Sequence, residues 1–102
     1  MSVILHIDTS AISTAKIALE IDGERFEKTS GSKKLKSQML LPMIEELLLE
    51  HKLKLTDVTE ITVASGPGSF TGLRVGATVA NALGYLLDIP VNGQKTLAIP
   101  TY

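Results

Sequence analysis

Two stretches of the chain carry residues whose types and spacing could do chemistry. Asp8-Thr9-Ser10 ends the short apolar run Val3-Ile4-Leu5-His6-Ile7, so a carboxylate and two hydroxyls stand at the carboxyl end of what reads as a buried strand. Asp8 and Ser10 are therefore candidate anion or nucleotide contacts, although an Asp at a strand end is also an ordinary turn residue. The second stretch, Gly66-Pro67-Gly68-Ser69-Phe70-Thr71-Gly72, falls between a strand and a helix, where phosphate loops are built. It lacks the Gly-Lys-Ser/Thr ending of a Walker loop, and its last two glycines are separated by three residues rather than the two of a dinucleotide fingerprint. Free backbone amides at the helix start could still hold an anion near Gly68 and Ser69, with Arg74 one turn further on to reach a phosphate or a partner carboxylate. The alternative is that the glycines serve only a tight turn and close packing.

The remaining polar residues offer less. His6 alternates with Leu5 and Ile7 and reads as a core or edge histidine, while His51 near a helix end suits the dipole there. Neither has a partner at metal-ligand spacing, no nucleophile–base pair can be assembled, and a peptidase triad is not recognisable. No catalytic residue and no metal ligand is assigned. With no cysteine, disulfides and thiolate metal sites are excluded.

The helix after the glycine loop has its small residues at Gly72, Gly76, Ala80 and Gly84, each four apart and so on nearly one side. Glycine within a helix is about 1 kcal/mol less favourable than alanine, so a compensating close approach by another backbone is expected. An earlier segment, QMLLPMIEELLLEHKLKL, predicts a helix over 37–52 with Ser37 as N-cap and Pro42 tightening or kinking its first turns. Met39, Leu40, Leu41, Met43, Ile44, Leu47 and Leu48 cover about half of its circumference, wider than the roughly 100° stripe of a surface helix. The two helices together predict an association surface, with Met39, Met43, Leu47, Gly72, Leu73, Gly76, Ala80 and Gly84 facing a symmetric or pseudo-symmetric partner.

The elements that position these residues follow from local pattern. Residues 3–7 predict a strand, 14–21 a second, and Asp22-Gly23 the commonest two-residue hairpin turn between it and a polar edge strand over 24–29. A lysine-bearing connector over 30–37 reads as a solvated loop. Thr56-Asp57 caps a short turn, residues 60–64 form a strand, and Ile89-Pro90-Val91 a last one. The order βββαβαβ predicts an α/β domain with a mixed sheet and helices packed on it.

With 102 residues, 44% of them hydrophobic and 21% charged, the chain can bury one core. A formal charge of −1 gives no global reason to bind nucleic acid or a membrane surface. No apolar run reaches the roughly 18 residues of a membrane span, and the start lacks a basic n-region, so a cytoplasmic protein is expected.

On ILHIDTS at the start, MLLPMIEELL in the first helix and ASGPGSFTGLRVGATVANALGYLLDIPV, the chain resembles the TsaB (YeaZ) family. This family is a non-catalytic branch of the actin-like ATPase superfamily and a paralogue of the transferase TsaD. The resemblance covers essentially the whole chain but only the amino-terminal lobe of the family. It implies a single lobe of the actin-like ATPase (ribonuclease H-like) fold over 1–102, with the second lobe absent: an excised lobe or a natural short form. In such a fold Asp8-Thr9-Ser10 takes the place of the first phosphate loop.

The resemblance further implies a scaffold subunit that binds and stabilises TsaD in making threonylcarbamoyladenosine on tRNA. TsaE joins the assembly, tRNA is met only through it, and ATP binds only at the assembled complex. The paralogue's histidine pair has no counterpart in the first helix region here, and Lys36-Ser37 stands where many relatives have His-Ser. Alone, the lobe is expected to form a homodimer through the same helices. The competing expectation is an ATP-binding or kinase-like lobe with Asp8 as its catalytic or metal-positioning carboxylate.

Overall fold

The computed structural model describes residues 1–10, 14–30, 36–64 and 70–93, the side chains of residues 30, 36–39, 70 and 71 excepted. Strands β1 (Val3–Asp8), β2 (Ala15–Ile21) and β3 (Glu24–Ser30) precede helix α1 (Lys36–Glu50). A 3-10 turn over Leu55–Asp57, strand β4 (Glu60–Val63) and helix α2 (Phe70–Leu87) follow. The four strands lie in the order β3-β2-β1-β4, antiparallel except for the parallel pair β1–β4, which is the mixed sheet the element order implies.

The hairpin forms where Asp-Gly requires it. Asp22 and Gly23 both take positive φ, 49° and 94°, the backbone of the primed turns that match strand twist. Asp57 accepts the Lys54 amide at 2.7 Å, as its capping role demands. Two details differ from expectation. Helix α1 begins at Lys36, which places Ser37 inside the helix instead of at its cap. The last strand is reduced to one parallel bridge, Ile61 to Val91, because the chain passes β4 at Pro90 and turns away at Asn92 and Gly93, both with positive φ.

Strand alternation decides which face is covered. Val3, Leu5 and Ile7 of β1, Ile17 and Leu19 of β2, and Ile61 and Val63 of β4 are buried beneath the helices. Both helices lie on that same face: Ile7 pairs with Ile17 across the sheet, Ile7 lies next to Gly76 of α2, and Lys28, paired with Ile17, reaches α1. Leu40, Met43, Ile44, Leu47 and Leu48 of α1 complete one continuous core with Ala80 and Leu83 of α2. No helix among the described residues is long and apolar enough to cross a membrane.

Candidate docking face and loop carboxylate

Helix α2 turns its small residues inward. Gly72, Leu73, Gly76, Ala80 and Gly84 are all buried within the chain itself. A Cβ on Gly76 would run into Thr9 Oγ1 and lie 3.3 Å from Val63 Cγ2, and one on Gly84 would lie 2.5 Å from Val91 Cγ2. What approaches the bare stripe is thus mainly side chains, those of Ile7, Thr9, Val63 and Val91, with the Ile89 carbonyl the one backbone atom among the nearest contacts. This corrects the expectation that the stripe faces a partner. Spacing of four places small residues on one side of a helix, and here the sheet takes that side.

Helix α1 repeats the correction in part. Met43 and Leu47, expected at a partner interface, are 8% and 2% exposed and belong to the core. Met39 lies in α1, and its side chain falls outside the described residues. The wide apolar arc nonetheless divides. Its core side is buried, while Leu41 and Leu49 are 39% and 75% exposed. On α2 the outward residues are Arg74, Thr78, Ala82, Tyr85 and Leu86, of which Tyr85 and Leu86 are 86% and 74% exposed. The helices therefore leave large apolar residues exposed, on α2 opposite the glycines.

The loop residues are arranged differently. Asp8 is exposed, and its Oδ1 accepts both the Ser10 amide at 2.9 Å and the Ser10 hydroxyl at 2.5 Å. That carboxylate oxygen is spent on shaping its own turn, as an Asx turn does. Thr9, between them, is fully buried and donates its hydroxyl to the carbonyl of Gly72, pinning the end of β1 to the first turn of α2. Gly68 and Ser69 lie outside the described residues, and Arg74 is exposed on α2.

The uncovered sheet face holds a polar network that sequence reasoning missed. His6 Nε2 is 3.2 Å from Glu20 Oε1, and its Nδ1 is 2.5 Å from Thr62 Oγ1. Since a carboxylate only accepts, Nε2–H is the donor to Glu20, and Nδ1 shares the second bond with the Thr62 hydroxyl. Alternation in β1 puts His6 on the face opposite Leu5 and Ile7, but nothing local names partners on β2 and β4. On the same face Glu27 is shared by Arg25 (3.0 Å) and Lys16 (3.7 Å). The hydrogen bond from Arg25, then the charge of Lys16, hold the Glu27 carboxyl below its ordinary value of 4.5.

Edge strand β3 is tied to α1 on the other face. Lys28 Nζ bridges Glu46 at 3.0 Å and Glu50 at 2.9 Å, which raises its pKa above the ordinary 10.5. The Phe26 ring lies against His51 with centroids 4.1 Å apart. His6 and His51 thus sit on opposite sides of the sheet. Among the described residues no three His, Cys, Asp or Glu side chains group as metal ligands.

Comparison with known proteins places the architecture. A family model described as "TsaD: tRNA N6-adenosine threonylcarbamoyltransferase" matches residues 30–101. The "tRNA threonylcarbamoyladenosine biosynthesis protein TsaB" of Bacillus subtilis is 37% identical over 94 residues, which are 92% of this chain and 41% of that protein. Its namesake from Escherichia coli is 35% identical over 92% of this chain and 40% of its own length. The structure of YeaZ from Pseudomonas aeruginosa matches with a TM-score of 0.82 at 36% identity, over 89% of this chain and 42% of that one. The chain thus spans about two fifths of the length of these relatives. The four-stranded mixed sheet with two helices on one face is a lobe of the actin-like, ribonuclease H-like fold. By sequence over nearly its whole length and by fold, this chain belongs to the TsaB (YeaZ) group of the TsaD family.

Proposed function

We propose that the chain acts in tRNA threonylcarbamoyladenosine biosynthesis in the cytoplasm as the non-catalytic scaffold lobe that docks onto the TsaD transferase and stabilises it. The observation that carries this reading is the outward side of the helix pair, where Leu41, Leu49, Tyr85 and Leu86 stand in solvent. Exposed large apolar side chains on the helix pair of a small domain are what an association surface would use. The names of the Bacillus subtilis and Escherichia coli relatives, both biosynthesis proteins of this modified nucleoside, supply the process. The non-catalytic part draws on the chain's own chemistry: its histidines are on opposite sides of the sheet, and the Asp8 carboxylate oxygen holds Ser10. TsaE and tRNA meet the chain only through the assembly, and ATP binds there and not on this lobe.

Calorimetric titration tests both halves of the reading. TsaD titrated into the chain should give saturable heat that Tyr85→Glu abolishes. ATP titrated into the chain alone should give none. A one-to-one ATP isotherm, lost in Asp8→Asn, would instead favour a nucleotide-binding lobe with its own chemistry.

A further inference from the structure

After α2 the chain runs along β4 and leaves it through Asn92-Gly93, a pair of residues with a chemistry of its own. The amide carbon of an asparagine lies within reach of the next residue's backbone nitrogen, and a following glycine puts no Cβ in the way. Here that nitrogen is open to reaction. Gly93 is exposed, a Cβ on it would meet nothing within 4 Å, and its amide makes no hydrogen bond among the described residues. The amide carbon, by contrast, is held elsewhere. Asn92 Oδ1 accepts the Val63 amide at 2.8 Å, and Nδ2 donates to the Val63 carbonyl at 3.2 Å. The main chain is tied to the same strand, since the Asn92 amide donates to the Ile61 carbonyl at 2.8 Å and the Ile61 amide to the Pro90 carbonyl at 3.0 Å. Asn81, the other asparagine of the chain, lies inside α2 and precedes Ala82.

We infer that Asn92-Gly93 is a site of spontaneous covalent modification, the loss of the Asn92 side-chain amide, and that the bonds to Val63 restrain it in the folded chain. Solvent base takes the proton of the Gly93 amide, and the nitrogen attacks Asn92 Cγ. The Cγ–Nδ2 bond breaks, and Nδ2 leaves as ammonia with a proton from water. The cyclic imide so formed takes up one water at either carbonyl, which gives aspartate or its isomer linked through the side chain. Neither product fits where the asparagine did. An ionised carboxylate has no hydrogen to give, so an oxygen replaces the Nδ2 donor opposite the Val63 carbonyl. The isomer adds a methylene to the main chain and carries the turn off β4. Conversion is therefore self-reinforcing: opening of the segment permits it, and it removes a bond that favours closing.

The test incubates the whole chain in warm, mildly alkaline buffer, folded and in guanidinium chloride, and follows each asparagine by mass spectrometry of its peptides. In denaturant Asn92 should gain the mass of an amide turned acid, as a mixture of aspartate and isoaspartate, while Asn81 stays unchanged over the same time. Conversion in the folded chain should be about tenfold slower, the factor that opening the two Val63 bonds implies. Val91→Ala, which loosens the segment without altering Asn92 or Gly93, should raise the folded rate and leave the denatured rate as it is. Asn92→Asp should unfold at a lower denaturant concentration than the wild type. Equal rates in the folded and denatured chain would overturn the restraint by Val63. An Asn92 that converts no faster than Asn81 in denaturant would overturn the site itself, and an Asn92→Asp chain as stable as the wild type would overturn the self-reinforcement.

Discussion

The hydroxyl of Thr9 reaches the carbonyl of Gly72 through the space that Gly76 leaves empty. This contact joins the end of β1 to the first turn of α2 and explains why a helix tolerates glycine at that point. Filling the gap sets two effects in opposition. Alanine gains about 1 kcal/mol of helix propensity, but its methyl meets a buried hydroxyl in a packed core, an insertion that costs typically ~1–3 kcal/mol. Gly76→Ala should therefore lose up to about 2 kcal/mol by urea unfolding. The loss should shrink in a Thr9→Ala background, so that the double-mutant cycle returns a coupling energy. Additive losses would place the strain elsewhere.

The outward side of the helices makes the second prediction. A lobe alone with Leu49, Tyr85 and Leu86 in solvent should self-associate, so sedimentation velocity should give a homodimer at high concentration. Leu86→Glu or Tyr85→Glu should return a monomer with its melting temperature nearly unchanged, since both side chains are exposed. A wild-type monomer at high concentration would remove the physical basis of the docking face.

Charge on the open sheet face predicts a pH effect of definite sign. Arg25 and Lys16 hold Glu27 below its ordinary 4.5, so the folded pKa is depressed relative to the unfolded one. The stabilisation is full above the unfolded value and is lost as pH falls through the folded one. An NMR titration should place the Glu27 midpoint below 4.5 and move it back upward in Arg25→Gln. An unchanged midpoint in that variant would show that the solvated pair contributes nothing.

Asn92 supplies a fourth prediction, at the edge of β4. Its side chain takes the place of a missing strand: Oδ1 accepts the Val63 amide at 2.8 Å and Nδ2 donates to the Val63 carbonyl at 3.2 Å. Its φ is 52°, so Asn92→Gly keeps the backbone unstrained and removes only the two bonds. The loss should be about 1–2 kcal/mol by thermal or urea unfolding, because a neutral hydrogen bond is worth ~0.5–1.5 kcal/mol net. Hydrogen exchange at the Val63 amide should accelerate in the variant, and unchanged protection there would rule out the side-chain rung.

Much of this architecture was legible in local pattern. The alternation of Val3, Leu5 and Ile7 against Ile4, His6 and Asp8 fixed both faces of β1, and Asp22-Gly23 fixed the hairpin and with it the register of β2 on β3. Strand alternation likewise sets Phe26 and Lys28 of β3 against Arg25 and Glu27, the first pair meeting α1 and its end, the second the open face. Motif similarity placed the chain in its family.

Other features joined residues that no local rule connects. The Glu20–His6–Thr62 network spans three strands, and the Thr9–Gly72 contact spans 63 residues of chain. Above all, helical spacing fixes which residues share a side, but it leaves open which side meets the sheet. For α2 the small residues were expected to face a partner. Packing chose the small ones, because only a ridge without side chains lets the helix come down onto Thr9, Val63 and Val91, and that choice left Tyr85 and Leu86 outside. Sequence determined that something must lie close against the glycines of this helix. Tertiary structure decided that it is the chain's own sheet, since close approach is won by whichever surface is tethered nearest and shaped to fit.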